Sequence, residues 1–429
     1  MQNPNASALS HKQTYFIILA LGFLIQLTAL GFGRFAYTAL LPDMKGDLGL
    51  TNTHMGFFQV GILIGYLLFA YLCSAFSKRW GLSIVVNASC ALVGLAMMAL
   101  GFASSFYLCL ILAFLIGSGA AGAYIPLIPL TIGWSSIRRS GSAIGIIMSG
   151  TGVGIIVVGY VAPLILERFG TGGWRQAWFI LGAASLLVAL VSFVLLKENR
   201  SFVESGTHHN AHDSTLRLLY RDPSLRTILI VYLLVGFGYI IFATFVVAYA
   251  IEEIRMSVKE AGLLWSLFGL FSVLGCLFWG MVSDYLGRKT VTLIDLILLC
   301  ASVLLAVLWK EKTVLYISAS LFAFTFNGAI TLIASMFGDH IPMAKMDKLF
   351  GISTLIHGLG QAVGVGIAGW LKDLTSTFVV PFLLSALIIG VCPLFLLFLK
   401  EHRAVPGPIP QKSGQSNVSP GKGPEKEDR

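Results

Sequence analysis

The sequence predicts an all-α membrane protein: twelve transmembrane helices in two parallel-repeat six-helix bundles. Three observations predict it. Of the 429 residues, 56% are hydrophobic and only 11% charged, whereas soluble domains carry roughly a quarter charged residues. Twelve apolar runs are long enough for the roughly 20 residues that a helix needs to cross the hydrocarbon core. Three short patterns in the first half of the chain recur, in order, in the second.

In chain order the runs are 15–41, 55–76, 84–103, 106–133, 142–166, 176–196, 225–250, 262–282, 290–308, 313–338, 350–371 and 377–399. Pro42 is expected to end the first, and polar or Gly-rich breaks separate the others. The first run is too long for a signal-peptide core and lacks a small-residue cleavage pattern after it, so it is expected to stay in the protein. Residues 1–196 then form an N-terminal bundle and 225–399 a C-terminal one. Between them, 197–224 is the longest polar interval and reads as a linker, and 400–429 lacks the apolar residues needed to fold and reads as a disordered tail. Of the 29 Lys and Arg residues, twenty fall on the side of the termini, eight on the other, and one, Arg34, inside a span. By the positive-inside rule both termini are cytoplasmic, in the cell inner membrane.

The net charge of +9 comes from residues scattered over short loops and the tail, without the basic face that nucleic-acid binding requires. The six cysteines all lie in apolar runs with no paired spacing, which argues against a disulfide framework. His208, His209 and His212 in the linker read as solvated loop residues. The glycine-rich run Gly150 to Gly154 sits within a hydrophobic span, with no strand before it and no Lys-Ser/Thr after it, so it reads as close helix packing in place of a nucleotide loop. No metal-ligand cluster, cofactor motif or Ser/His/Asp arrangement stands out, which excludes an enzyme as the first reading. A membrane sensor would normally add a soluble output domain, and no segment offers one.

The repeat pairs GFGRFAY (Gly31 to Tyr37) with GFGYIIF (Gly236 to Phe242), offset by 205. It pairs Gly280-x-Val282-x-Asp284-x-x-Gly287-Arg288-Lys289 with Ala70-x-Leu72-x-Ser74-x-x-Ser77-Lys78-Arg79, offset by 210, and Gly150-Thr151-Gly152 with Gly358-Leu359-Gly360, offset by 208. An even number of spans separates partners, so the halves are related by an axis along the membrane normal.

GMVSDYLGRK at 280–289 resembles the loop signature G-x-x-x-D-x-x-G-R-K of the major facilitator superfamily. The first-half copy departs from it, with Ser74 and Ser77 where Asp and Gly are expected. Arg138-Arg139 followed by Ala143-x-Gly145 and Ser149-Gly150 is similar to a fifth-helix pattern of monocarboxylate transporters and their bacterial relatives, and GRFAYTALLPDM at 33–44 looks like the first helix of a poorly characterised bacterial branch. The resemblance implies a secondary transporter working by alternating access, with Asp284, Arg288 and Lys289 as a gate loop.

Arg34 is the residue that needs explaining. Its charge is permanent, and at the centre of a membrane helix it costs about 2.5–3.5 kcal/mol on insertion scales. A brace reaching the interface is one reading; the other places Arg34 on the central cavity as an anion holder, because its planar fork suits a carboxylate. Tyr239 occupies the repeat-equivalent position and Tyr37 is one turn on. His357 and Gln361, four apart on the eleventh run, share a face; His357 is the candidate for proton coupling or a second hydrogen bond to the substrate, with a neutral histidine bonded to a neighbouring helix as its other reading. Tyr124 and Asn327 are further cavity candidates, with interhelical hydrogen bonding as their other reading. Asp295 reads as a partner of the basic loop, with a role in coupling as its other reading. The expected activity is transport of a small organic anion, a monocarboxylate, with protons or by exchange, by a monomer in the lipid bilayer. The alternative is an exporter of amphipathic drugs, whose cavity the 30 Phe residues could line.

Overall fold

The computed structural model describes residues 4–134, 140–196, 198, 222–340 and 346–399, and all their side chains except those of 4–12, 140–141, 284, 338–340, 346–348 and 350. The expected tail, and the linker apart from 198 and 222–224, lie outside the described residues, as do the linker histidines.

Among the described residues, twelve helices are long and apolar enough to cross a membrane. They are α1 (Gln13–Asp47), α2 (Asn52–Trp80), α3 (Leu82–Leu100), α4 (Phe106–Ile132), α5 (Ser142–Phe169), α6 (Gly173–Leu195), α7 (Pro223–Glu252), α8 (Val258–Ser283), α9 (Arg288–Leu308), α10 (Lys312–Phe337), α11 (Gly351–Thr375) and α12 (Val379–Leu397). The chain is a multi-pass membrane protein. Within each half the same partners pack: α2 on α4, α1 on α5 and α3 on α6, then α8 on α10, α7 on α11 and α9 on α12. Across the halves α1 meets α7, α2 meets α11 and α5 meets α8.

Pro42 does not end α1, which runs on through it to Asp47. Proline removes one backbone donor and its ring crowds the preceding turn, yet the helix continues, held at its end by Lys45 on Glu252 of α7 at 2.7 Å. Residues Leu27–Phe32 of α1 are wound as a π-helix. Such insertions rotate the next turns of a helix about its axis and are frequent at functional sites; here the segment ends just before Arg34.

With little hydrophobic driving force between helices in lipid, close packing falls to small residues. A Cβ on Gly117 would stand 1.9 Å from the Ile62 carbonyl oxygen, one on Gly65 2.0 Å from that of Phe114, and one on Gly275 1.8 Å from that of Phe324. These glycines let α2 and α4, and α8 and α10, touch backbone to backbone. Gly117→Ala should therefore cost at least the roughly 1–3 kcal/mol of an overpacked core, read as a lowered midpoint of thermal unfolding in detergent.

The repeat is visible in detail, and it corrects two alignments, the first being the glycine run: Gly152 meets Val273 as Gly358 meets Leu67, so Gly150-Thr151-Gly152 matches Ile356-His357-Gly358 at an offset of 206, not 208. Helices α2 and α8 both begin with capping boxes, Thr51 with His54 and Ser257 with Glu260. They are followed by Gly81 (φ 91°, ψ 155°) and Gly287 (φ 85°, ψ 142°), a conformation that residues with a Cβ rarely adopt. The loop signature thus aligns at an offset of 206, not 210: the first copy keeps its glycine, as Gly81, and places Lys78 where Asp284 stands. The same offset relates the cross-half contacts, since a Cβ on Gly262 would stand 2.4 Å from the Gly159 oxygen and one on Gly56 2.7 Å from the Val365 oxygen.

The two faces of the membrane differ. On α5, Gly145 has nothing within 4 Å of a would-be Cβ, whereas Gly152 meets Val273 and Gly159 meets Ser266 of α8; on α11, Gly351 is likewise open, whereas Gly358 meets Leu67 and Gly369 meets Asn52 of α2. The halves part towards the face of the termini and close towards the opposite one. There Lys259 of α8 pairs with Glu167 of α5 across the halves, as Lys45 of α1 does with Glu252 of α7, while Lys372 of α11 pairs with Glu252 and Glu253 within the second half.

Candidate functional site

Helices α1 and α7 cross where the repeat axis runs, so equivalent residues meet. Thr38 Oγ1 donates to the carbonyl of Ala243, its counterpart at offset 205, at 3.3 Å. One turn deeper, Arg34 lies within electrostatic range of the Tyr239 side chain, again its own counterpart. One guanidinium nitrogen, Nη2, donates to Gln361 Oε1 of α11 at 2.6 Å. The guanidinium carbon lies 5.5 Å from the ring centroid of Tyr66 and 5.6 Å from that of Phe35, within cation–π range. Its Nε is buried and has no partner, and among the described residues Arg34 makes no salt bridge. A permanent cation is thus held at the seam of the halves with neutral partners only.

His357 sits between two tyrosine rings, 4.1 Å from that of Tyr232 and 5.7 Å from that of Tyr239, all nearly parallel. Gly236 admits it, because a Cβ there would stand 2.8 Å from His357 Nδ1. Nδ1 lies 2.8 Å from the Tyr232 carbonyl oxygen; a carbonyl only accepts, so Nδ1 carries the proton and Nε2 is the free nitrogen. A second proton on the ring would place another cation beside Arg34.

The structure therefore brings Arg34, Tyr239, His357 and Gln361 together. Tyr124, the last residue of α4 before its break at Ile125 and Pro126, stands within electrostatic range of Tyr66, Tyr232 and Cys276 and joins the rim. Tyr37 does not join. It is fully buried, its hydroxyl donates to the Met55 carbonyl at 2.7 Å, and its ring stacks on Phe58 at 4.2 Å. Asn327 also serves elsewhere, donating to the Ser272 carbonyl of α8 at 3.4 Å. Tyr37→Phe is expected to lower thermal stability by the roughly 1 kcal/mol of one hydrogen bond and to leave anion affinity unchanged, as a titration of the purified variant would show.

Of the gate-loop residues, Arg288 donates to the Ser335 carbonyl at 2.8 Å and Lys289 to that of Leu399 at 2.6 Å, tying α9 to its neighbours within one half. The Asp284 side chain lies outside the described residues. Asp295 does not meet the basic loop: it is fully buried, with neither oxygen partnered among the described residues.

Four residues of this region escape sequence reading. Tyr66 and Tyr232 look like ordinary aromatics of apolar runs. Gln26 Nε2 and Thr151 Oγ1 are buried without partners on the seam of α1 and α5, where a Cβ on Gly150 would stand 3.2 Å from that of Gln26. At offset 206 they are the counterparts of Tyr232 and His357, and the repeat is the signal that could have found them.

A family model described as "Uncharacterised MFS-type transporter YbfB" matches residues 26–397. The chain belongs to this family, within the major facilitator superfamily. Among its relatives is the hexuronate transporter of Bacillus subtilis (strain 168), 23% identical over 372 residues, covering 82% of this chain and 87% of the relative. Monocarboxylate transporter 12 of Mus musculus is 27% identical over 365 residues, covering 74% and 72%. The crystal structure of a bacterial homolog to the human lysosomal transporter Spinster, in an inward-facing and occupied conformation, superimposes with a TM-score of 0.72 at 15% identity over 90% of this chain and 96% of that one. The chain is thus a transporter and not an enzyme, with the twelve-helix major facilitator fold.

Proposed function

We propose that the protein carries a small organic anion, a hydroxylated monocarboxylate, across the cell inner membrane by alternating access, with proton coupling or exchange, as a monomer with both termini cytoplasmic. The observation that carries this reading is Arg34: a buried guanidinium at the seam, with an unpartnered Nε and no carboxylate to neutralise it. A substrate carboxylate supplies the missing charge and takes the fork in two-point fashion. Tyr239, His357 through Nε2, and Gln361 complete its shell, and Tyr124 flanks it. Gln26 and Thr151 supply unmatched polar groups for hydroxyls, which favours sugar acids over bare short acids, since a site built to hydrogen-bond hydroxyls discriminates against analogues lacking them. Relatives named for a hexuronate and for monocarboxylates fit this chemistry. With termini cytoplasmic, the face on which the halves part opens to the cytoplasm, and Arg288 and Lys289 with Asp284 would hold the loop that closes that side.

The test is uptake by proteoliposomes of radiolabelled glucuronate, galacturonate, lactate and pyruvate, with and without an inside-alkaline pH gradient. Saturable uptake of the sugar acids, competed less well by the short acids, supports the reading. Competition by lipophilic cations in place of carboxylates would turn it to the drug exporter.

A further inference from the structure

We propose that Asp295 carries the coupling proton of this transport cycle, and that α10 relays its state to the anion site. The proposal rests on the anion-transport reading for its cycle but on separate observations for its residue. Asp295 is fully buried in α9, and both carboxyl oxygens lack partners among the described residues. Oδ1 would be 2.8 Å from a Cβ on Gly328 of α10, and the Trp279 indole of α8 fills the same niche. That indole donates elsewhere, to the Phe324 carbonyl at 3.0 Å, and Trp279, Val291 and Leu332 form an apolar cluster here. A carboxylate left charged and unpaired in such a place is costly, and a bound proton removes the charge.

The other half shows that packing does not require an acid. At offset 206 the pair Asp295 and Gly328 corresponds to Ser89 and Gly122, and Ser89 Oγ likewise crowds its glycine, 2.1 Å from a would-be Cβ. A neutral hydroxyl fills that niche, so the carboxyl in the second half is free to serve a purpose that the hydroxyl cannot.

Beside Asp295 stand the Trp279 indole of α8 and Gly328 of α10. The side chain of Asp284 after α8 lies outside the described residues, as do those of Asp339 and His340 past the end of α10. The described charged residue of α10, Lys312, is at the far end on Glu260, and α12 carries no charged residue. On α9 itself Arg288 and Lys289 lie about two turns, roughly 10 Å, away, donating to the carbonyls of Ser335 and of Leu397 and Leu399.

Helix α10 stands between this carboxyl and the anion. Gly328 faces Asp295, while Phe326, two residues earlier and so on the opposite side, stacks on Tyr239 at 5.5 Å, and Tyr239 lies within electrostatic range of Arg34. Loss of the proton leaves a bare charge beside an indole and a glycine, which only water or a shift of α9 towards its basic end relieves; either displaces α10 against Tyr239. The proton is taken from water on one side and returned to water on the other, the carboxyl alternating between COOH and COO⁻ with no further reactant.

The test uses the full chain in liposomes. In pH-difference infrared spectra recorded without substrate, the wild type is expected to show a protonated-carboxyl C=O band that Asp295→Asn lacks; identical spectra overturn the proposal whatever the transport result. In the second arm, Asp295→Asn is expected to retain glucuronate counterflow and to lose gradient-driven accumulation. Accumulation equal to wild type overturns it, and so does loss of counterflow together with accumulation, which marks a structural role. If the wild type moves no carboxylate, the anion reading fails, while the infrared arm still decides whether Asp295 holds a titrating proton.

Discussion

Arg34→Lys is expected to abolish anion transport about as fully as Arg34→Ala. The lysine keeps the charge, so a merely electrostatic attraction would survive in it. What it lacks is the planar fork that donates to Gln361 from Nη2, meets Tyr239 and leaves Nε for a ligand. An ammonium is a point charge on a flexible stem and cannot reproduce that three-way geometry. Truncating one member of a buried, hydrogen-bonded charge pair costs roughly 2–5 kcal/mol, so the affinity for glucuronate should fall about 30-fold to several thousandfold, measured by counterflow at graded concentrations. Thermal unfolding of both variants serves as the control for folding. If Arg34→Lys transports at the wild-type rate, the guanidinium geometry is irrelevant and Arg34 acts as charge alone. If both variants transport normally, Arg34 is a brace and the anion lies elsewhere.

Much of this fold was legible in the sequence because its strongest constraint is one of length and apolarity. Each span must satisfy its backbone internally and cover the hydrocarbon, so the twelve runs read directly as α1 to α12. Arg34 was legible too, since a charge in such a run is conspicuous, and the repeat pointed to Tyr239. The rotation of each helix was less so. In a soluble helix the polar face marks the outside, but here lipid and protein neighbours are both apolar, so nothing in the residues near Tyr37 told that its ring turns to Phe58 and away from Arg34. The π-helix at Leu27–Phe32 compounds this by shifting the phase between Gln26 and Arg34, which an assumed 3.6-residue period cannot register. The loop alignment failed for a simpler reason: Lys78-Arg79 imitates Arg288-Lys289 by charge, whereas the backbone angles that only glycine tolerates single out Gly81.

Asp373→Ala is expected to open the face that is now closed. Asp373, near the end of α11, accepts four hydrogen bonds from the start of α2: the backbone amides of Asn52 and Thr53 at 2.9 and 2.7 Å, Asn52 Nδ2 at 2.8 Å and Thr53 Oγ1 at 2.6 Å. The carboxylate thus caps the positive end of a helix that belongs to the other half. Hydrogen bonds to a charged group are each worth about 1.5–3 kcal/mol, and loss of even one such increment shifts a two-state equilibrium about tenfold. Thr38→Cys reports on it, because Thr38 lies in the α1–α7 seam, 4% exposed, and an impermeant maleimide reaches it only when this face parts. Its labelling rate, against the same protein without the added cysteine, should rise at least about tenfold in Asp373→Ala. A lesser rise is expected in Asp373→Asn, which keeps an acceptor but not the charge. An unchanged rate would assign closure to the Lys45–Glu252 and Lys259–Glu167 ion pairs instead. The latch bears on the anion site because the same two helices carry both: α11 holds Gln361 about 18 Å, twelve residues, before Asp373, and α2 holds Tyr66. Parting α2 from α11 at Asp373 therefore draws Gln361 and Tyr66 away from each other around Arg34, so that the contacts holding the anion loosen as the way out opens on that side.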